Sequence, residues 1–133
     1  METTTTLLAD YEYEATNSNG NKVHIDMRAP EQKTGQSPTE LLLSALSACA
    51  SVDLVQMLKK RKKTVNGLNV TADGTRRDEH PRGFTEIKLH FVLDSPDVTQ
   101  EELERLGHLA ATKYCSVAGT LNSDMQHTFT INR

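Results

Sequence analysis

The sequence has no tryptophan, only three tyrosines and three phenylalanines, and only two cysteines in 133 residues. So few aromatic rings argue against a stacking platform for single-stranded nucleic acid. The formal net charge of −3 gives no basic surface for nucleic acid or for anionic membranes. The N-terminus carries Glu2 and lacks the basic segment of an export signal. We therefore expect a cytoplasmic protein with no nucleic-acid or membrane partner.

The chain has the composition of an ordinary globular protein, with 36% hydrophobic and 25% charged residues. We find no repeat and no linker, so the sequence predicts a single domain over residues 1–133. The longest apolar run, from Leu41 to Val55, contains Asp53 and is shorter than the roughly 20 residues that cross a bilayer. This run is therefore interpreted as a core helix.

The first half of the chain predicts a β-hairpin followed by a long helix. Apolar and polar residues alternate over 10–28 on both sides of a polar turn at 17–21, and a polar loop covers 29–36. Ser37, Pro38 and Glu40 form a capping-box pattern at a helix start, and Asn66-Gly67 predicts the helix end. The helix is apolar or small on every face, so we expect it to be buried on most sides and to favour a homodimer.

The second half predicts two strands, two helical segments and a last strand. The strands fall near 68–72 and 87–93 around a charged turn at 76–83. A helix opens at Thr99 with a second capping-box pattern to Glu102 and ends near residues 114–115. A helical turn over 116–121 and a strand containing Phe129 and Ile131 follow. The order predicts an α+β fold, with antiparallel sheets packed on a long central helix.

The two cysteines, Cys49 and Cys115, are the candidate chemical groups. They form neither a CxxC motif nor a zinc-ligand spacing, and the five histidines show no metal-type spacing, so no metal is expected. The alternative that both cysteines are only small core residues stays open, because free cysteine is often buried. If Ser116 begins a helical turn, nearby N–H groups are expected to lower the pKa of Cys115. Cys49, in mid-helix, needs a cation from elsewhere.

Three segments carry a family resemblance. Residues 35–49 (GQSPTELLLSALSAC), 80–87 (HPRGFTEI) and 113–117 (KYCSV) resemble the OsmC/Ohr family of thiol-dependent peroxidases, and the likeness covers nearly the whole chain. The resemblance implies an OsmC-like fold and an intertwined homodimer with active sites at the subunit interface. It also implies reduction of organic hydroperoxides without metal or organic cofactor.

The resemblance also implies roles for individual residues. Cys49 corresponds to the peroxidatic thiolate and Cys115 to the resolving cysteine, with an external thiol as reductant. The family's peroxidases have a glutamate directly after the helix-start proline, whereas here that glutamate, Glu40, comes one residue later. Glu40 is thus either catalytic or only a helix cap. Arg28 is the candidate cation beside Cys49, and Arg82 is the alternative.

The sequence therefore predicts an enzyme of oxidative-stress defence that reduces organic hydroperoxides by a two-cysteine cycle. The alternative is a non-catalytic protein that binds a small apolar ligand on the same scaffold. Groups that would activate Cys49 are not evident, and small residues line the long helix, which favours this alternative.

Overall fold

A computed structural model describes all 133 residues. The chain divides into two compact units, Met1–Leu42 and Leu43–Arg133. That both belong to one domain stays a prediction. The elements in chain order are β1 (Thr3–Ala9), β2 (Glu12–Asn17), β3 (Lys22–Asp26), α1 (Pro38–Lys60), β4 (Gly67–Arg76), β5 (Phe84–Asp94), α2 (Gln100–Leu109), a π-helical turn (Ala110–Tyr114), α3 (Ser116–Thr120) and β6 (Asp124–Asn132). This order confirms the predicted α+β class.

The first unit contains an antiparallel sheet in the order β1-β2-β3. The predicted hairpin is β2–β3, and in its turn the Asn17 side-chain oxygen accepts hydrogen bonds from the backbone N–H groups of Asn19 and Asn21. Gly20 has φ +83°, a conformation that glycine adopts without steric cost. Strand β1 was not predicted, because its four consecutive threonines favour strands by propensity but give no alternating pattern.

A buried carboxylate organises the loop after β3. Asp26 is 0% exposed, and its carboxylate accepts two hydrogen bonds from the Arg28 guanidinium, at 3.0 and 2.8 Å. It also accepts from the backbone N–H groups of Arg28 and Thr34, at 3.0 and 2.8 Å. These bonds hold the pKa of Asp26 well below its usual range, the Arg28 side chain being the largest cause. The Asp26–Arg28 ion pair and the bonds to the backbone therefore fix the conformation of this loop.

The predicted start of α1 is confirmed, whereas its predicted end is wrong. The Ser37 hydroxyl accepts from the Glu40 N–H at 3.3 Å, and the Glu40 carboxylate accepts from the Ser37 N–H at 3.0 Å. The helix ends at Lys60, before Asn66-Gly67, because Lys62 turns left-handed with φ +59°. The N–H of Lys63 then bonds to the carbonyl of Leu58 at 3.0 Å, which closes a Schellman cap without glycine.

The second unit is built around β5, the middle strand of a sheet ordered β4-β5-β6. Its alternate apolar side chains are buried, as the pattern predicted: Ile87, Leu89, Phe91 and Leu93. Strand β4 pairs antiparallel to β5, but β6 pairs parallel to it, which corrects the prediction of purely antiparallel sheets. A parallel neighbour needs a long crossover connection, and residues 95–123, with α2 and α3, supply it.

Helix α1 buries one stripe, not most of its surface. The fully buried positions recur every four residues: Leu46, Ala50, Leu54 and Leu58. Leu42 and Val52 are 42% and 60% exposed, so the expectation of burial on most sides is wrong for this chain alone. By length and composition α1 is also apolar enough to cross a membrane, a test that the core helix of a soluble protein passes as well. The apolar run from Leu41 to Val55 is thus part of a 23-residue helix, which is long enough for this test.

The helical segments after β5 follow the prediction closely. The Thr99 hydroxyl accepts from the Glu102 N–H at 3.1 Å, whereas the Glu102 carboxylate lies near Lys63 and Arg61, at 3.5 and 3.6 Å. The last turn widens into the π-helical turn, and α3 begins directly after Cys115. The cap at Thr99 is therefore half of a capping box.

We expect Asp26→Asn to lower the free energy of unfolding markedly at pH 7, because the Arg28 guanidinium loses the carboxylate that neutralises it. The pKa of Asp26 is lowered from 3.8 in the folded chain, so its contribution is present above about pH 3.8. It is lost as the pH falls further, because the unfolded chain then binds a proton that the folded chain does not.

Urea denaturation of the wild-type and Asp26→Asn proteins checks this prediction, at pH 7 and at about pH 3 and at matched protein concentration. The difference in free energy of unfolding between the wild-type and Asp26→Asn proteins should be smaller at about pH 3 than at pH 7. Asp10→Asn, in an exposed loop, is the matched control and should change stability little at either pH. An Asp26→Asn protein as stable as wild type at pH 7 would refute the role of the network.

Candidate functional site

The two cysteine thiols meet in the second unit. Cys49 lies on α1 beside the buried stripe, and Cys115 lies at the junction between the π-helical turn and α3. The Cys115 thiol lies close enough to Cys49 for that thiol to raise its pKa, and it is 4.0 Å from the carbonyl oxygen of Leu46, one turn before Cys49. Both thiols are free, so this is a reduced dithiol pair.

Cys115 caps α3 with its sulfur. The Sγ atom accepts from the N–H of Ala118 at 3.4 Å, as expected for a cysteine that begins a helical turn. The pKa of Cys115 is nevertheless raised, because burial disfavours the thiolate and the neighbouring Cys49 thiol adds to this effect. The expected lowering is therefore wrong: the backbone N–H groups of Ala118 and Val117 do not outweigh burial at 3% exposure.

Cys49 is the more accessible thiol, since it is half-buried where Cys115 is buried. A groove of about 380 Å³ runs along the same helix, lined by residues that include Ser47, Ala48 and Ser51. The hydroxyls of Ser47 and Ser51 donate to helix carbonyls one turn earlier, at 2.9 and 2.7 Å. The groove is also lined by Leu43, Val70 and Ala72, so apolar side chains and hydroxyls bonded within the helix share its surface.

Arg28 lies in the first unit with its guanidinium oriented by its neighbours. Nε and Nη2 bond to Asp26, and Nη2 also lies 3.1 Å from a Glu12 carboxylate oxygen and 3.2 Å from the Thr34 hydroxyl. The pKa of Arg28 is raised, mainly by Asp26, so the group is a permanent cation. Nη1 makes none of these bonds and is the nitrogen left to bind another acceptor.

The other two candidates are held by local contacts. The carboxylate of Glu40 caps α1 and pairs with the Lys33 ammonium, which accounts for it structurally. The Nε of Arg82 donates to the Arg77 carbonyl within the exposed turn between β4 and β5, at 3.2 Å. Arg82 is thus tied to its own turn.

One cluster in the first unit has metal-ligating side chains. Ligand atoms of Glu12, His24 and Asp26 lie within 4.8 Å of one another. Both oxygens of Asp26 already bond to Arg28, whose positive charge would repel a cation. The cluster therefore fits an ion-pair network better than a metal site.

Sequence reasoning missed a histidine pair between α2 and β6. The rings of His108 and His127 lie with centroids 5.3 Å apart in a T-shaped arrangement. Burial, and secondarily the charge of His108, lower the pKa of His127 from 6.5. The only local signal was the i,i+4 spacing of Glu104 and His108, because the second histidine comes from a distant strand.

Comparison with known proteins identifies the family. The family model described as OsmC-like protein matches residues 30–130. Protein YhfA of Escherichia coli (strain K12) is 35% identical over 101 residues, covering 76% of this chain and 74% of that protein. A protein of Mycoplasma pneumoniae named hydroperoxide reductase is 27% identical over 114 residues, covering 84% of this chain and 79% of that protein.

A solved structure agrees with these sequence matches. The crystal structure of an OsmC-like protein from Mycoplasma pneumoniae superposes with a TM-score of 0.87 at 24% identity, covering 99% of this chain and 96% of that one. At that identity the likeness concerns the fold. With the family model matched over most of the chain and the fold shared, the protein belongs to the OsmC-like family.

Proposed function

We propose that this protein reduces organic hydroperoxides by a two-cysteine cycle in which Cys49 attacks the peroxide and Cys115 resolves the product. The observation that carries the proposal is the proximity of the two thiols, which come from distant parts of the chain and interact in the folded protein. The Mycoplasma relative named hydroperoxide reductase supports a role in peroxide chemistry.

In the first step the Cys49 thiolate attacks the terminal peroxide oxygen. A sulfur–oxygen bond forms, the O–O bond breaks, and the alkoxide leaves and takes up a proton to become an alcohol. Cys49 is oxidised to a sulfenic acid and the peroxide is reduced. The greater exposure of Cys49 favours it over Cys115 for meeting the substrate. We assign the alkyl part of the hydroperoxide to the groove on the same helix, through its apolar lining residues Leu43, Val70 and Ala72.

In the second step Cys115 attacks the sulfenic sulfur of Cys49. A disulfide forms, and the hydroxyl leaves as water with the thiol proton. Because the pKa of Cys115 is raised, this thiol stays protonated at neutral pH and does not compete for peroxide. An external thiol then supplies two electrons and two protons to restore both cysteines.

Arg28 is our candidate for the cation that stabilises the Cys49 thiolate and the developing alkoxide. The assignment rests on the family resemblance and on a guanidinium already oriented by Asp26, with Nη1 left to bind an acceptor. Glu40 then acts through the helix start and its Lys33 pair, as a positioning residue for α1.

We further propose a soluble, cytoplasmic homodimer. Large apolar side chains remain exposed on α1 and, separately, on the first sheet, and exposed apolar side chains of this kind favour burial against a partner. The most exposed of them in these elements are Leu7, Leu8, Val23, Leu42 and Val52. A second copy of the chain would bury these groups, and a reducing compartment keeps the thiols ready for reaction.

We expect Cys49→Ser to abolish turnover of cumene hydroperoxide, because the nucleophile is lost. Cys115→Ser should consume about one equivalent and then stop, because the sulfenic acid has no resolving partner. Peroxide consumption and the protein mass after one equivalent measure both. The wild-type chain should lose two hydrogens, whereas Cys115→Ser should gain one oxygen and, with excess peroxide, more.

The two serine variants control for each other, since each keeps one thiol and makes the same small change. Retained multiple turnover in Cys49→Ser would exclude this cycle. A wild-type chain whose thiols do not react within minutes at neutral pH would favour the ligand-binding alternative.

We expect Arg28→Lys to lower kcat/KM for cumene hydroperoxide on the order of 10²-fold, the usual cost of losing one preorganised electrostatic donor. Lysine keeps the charge but cannot bond to Asp26 through two nitrogens and still present a third. Arg82→Lys is the matched control and should leave kcat/KM unchanged. The reverse ranking of the two variants would assign the cation to Arg82.

A further inference from the structure

We propose that a cavity beside the two cysteines binds the external thiol that restores them, and that this thiol carries a free amine next to its sulfur and a carboxylate at its other end. The inference rests on the proposed two-cysteine cycle and names the class of reductant that the cycle uses. A short peptide with an unblocked N-terminal cysteine and a free C-terminus is the simplest member of this class.

The cavity lies between α1 and the helical segments that follow β5. Its volume is about 450 Å³, within the range of roughly 300–1,000 Å³ that is usual for small-molecule sites. Met57 of α1 and Leu106 and Leu109 of α2 form its apolar lining, and Asp53 and Lys60 of α1 add opposite charges. This lining suits a ligand with two charged ends and an apolar middle.

One end of the cavity comes close to both cysteines. Cys49 and Asp53 are four residues apart on α1, so their side chains are neighbours on one helix face, with Cβ atoms about 5–6 Å apart. Tyr114, which also lines the cavity, directly precedes Cys115. A ligand amine bound by Asp53 would therefore bring a thiol on the adjacent carbon towards the Cys49 sulfur.

The two charged groups on α1 are available to a ligand. No hydrogen bond or ion pair within the chain occupies the Asp53 carboxylate or the Lys60 ammonium, whereas Arg61 at the same end of the cavity lies 3.6 Å from Glu102. Asp53 is half-buried, so water screens its charge only in part. The cavity thus has an unpaired acceptor for an ammonium and an unpaired donor for a carboxylate.

The distance between these groups sets the length of the ligand. Asp53 and Lys60 are seven residues apart on α1, which corresponds to about 10 Å along the helix axis. A tripeptide in an extended conformation also reaches about 10 Å. A tripeptide that begins with cysteine can therefore present its amine to Asp53, its sulfur to Cys49 and its carboxylate to Lys60.

The reduction uses two molecules of the thiol. The thiolate of the first attacks the Cys49 sulfur, the disulfide bond breaks, and Cys115 leaves and takes up the proton of the attacking thiol. The thiolate of the second attacks the peptide sulfur of the mixed disulfide and releases Cys49, which receives the second proton. The products are two protein thiols and one peptide disulfide.

The rate at which Cys-Ala-Ala reduces the Cys49–Cys115 disulfide tests the proposal. The chain is oxidised with diamide, and protein mass in acid-quenched samples gives the rate constant for Cys-Ala-Ala, its N-acetyl form and its C-terminal amide. The wild-type chain should prefer the free amine and the free carboxylate by about two- to fivefold each, the size expected of one partly exposed ion pair. Asp53→Asn should lose only the preference for the free amine, and Lys60→Gln only the preference for the carboxylate.

Lys59→Gln is the matched control, because Lys59 is exposed on the same helix outside the cavity and its loss should leave both preferences unchanged. Calorimetric binding of Ser-Ala-Ala, which keeps both charged ends and lacks the thiol, is the second measurement. The proposal is overturned if Asp53→Asn and Lys60→Gln keep the wild-type preferences. It is equally overturned if a chain with both substitutions binds Ser-Ala-Ala as wild type does.

Dithiothreitol, an uncharged reductant, separates this proposal from the two-cysteine cycle. Turnover of cumene hydroperoxide with dithiothreitol but without charge preferences among the tripeptides would refute the reductant site alone. Charge-dependent binding of Ser-Ala-Ala in a chain that consumes no peroxide would support the site and refute the cycle.

Discussion

The burial of one stripe of α1 against β5 is the constraint on which the second unit depends. Leu46, Leu54 and Leu58 are fully buried together with the alternate side chains of β5. Each buried leucine contributes about 1.5–3 kcal/mol relative to an exposed one. Because stripe residues recur every four positions, they fix the rotation of the helix about its axis. That rotation puts Cys49 at the edge of the stripe, in contact with the core and still half-buried.

The same core decides the chemistry of the second thiol. Cys115 is held at the start of α3, where a backbone N–H favours its thiolate, but burial and the nearby Cys49 favour the neutral thiol. The neutral form is favoured, so the structure separates an accessible thiol from a protected one. A resolving cysteine benefits from this arrangement, because it keeps its proton until the neighbouring sulfur has been oxidised.

What the sequence could predict are the features fixed by neighbours in the chain. The caps at Ser37 and Thr99 involve residues three positions apart, and the hairpin turn at Gly20 closes within five residues. The alternation along β5 is also local, because side chains in any strand point to opposite faces in turn. Such patterns predict the elements and the α+β class, and even the placement of Cys115 before a helical turn.

What the sequence could not predict depends on contacts between distant segments. Asp26 has the polar side chain expected of a solvent-facing position in a strand, yet it is fully buried because Arg28 neutralises it. The parallel pairing of β6 brings His127 beside α2, so the histidine pair exists only through the crossover that joins the two strands. The pKa of Cys115 depends likewise on core residues from α1. Local patterns therefore identify the reactive side chains, whereas tertiary packing determines their protonation and their partners.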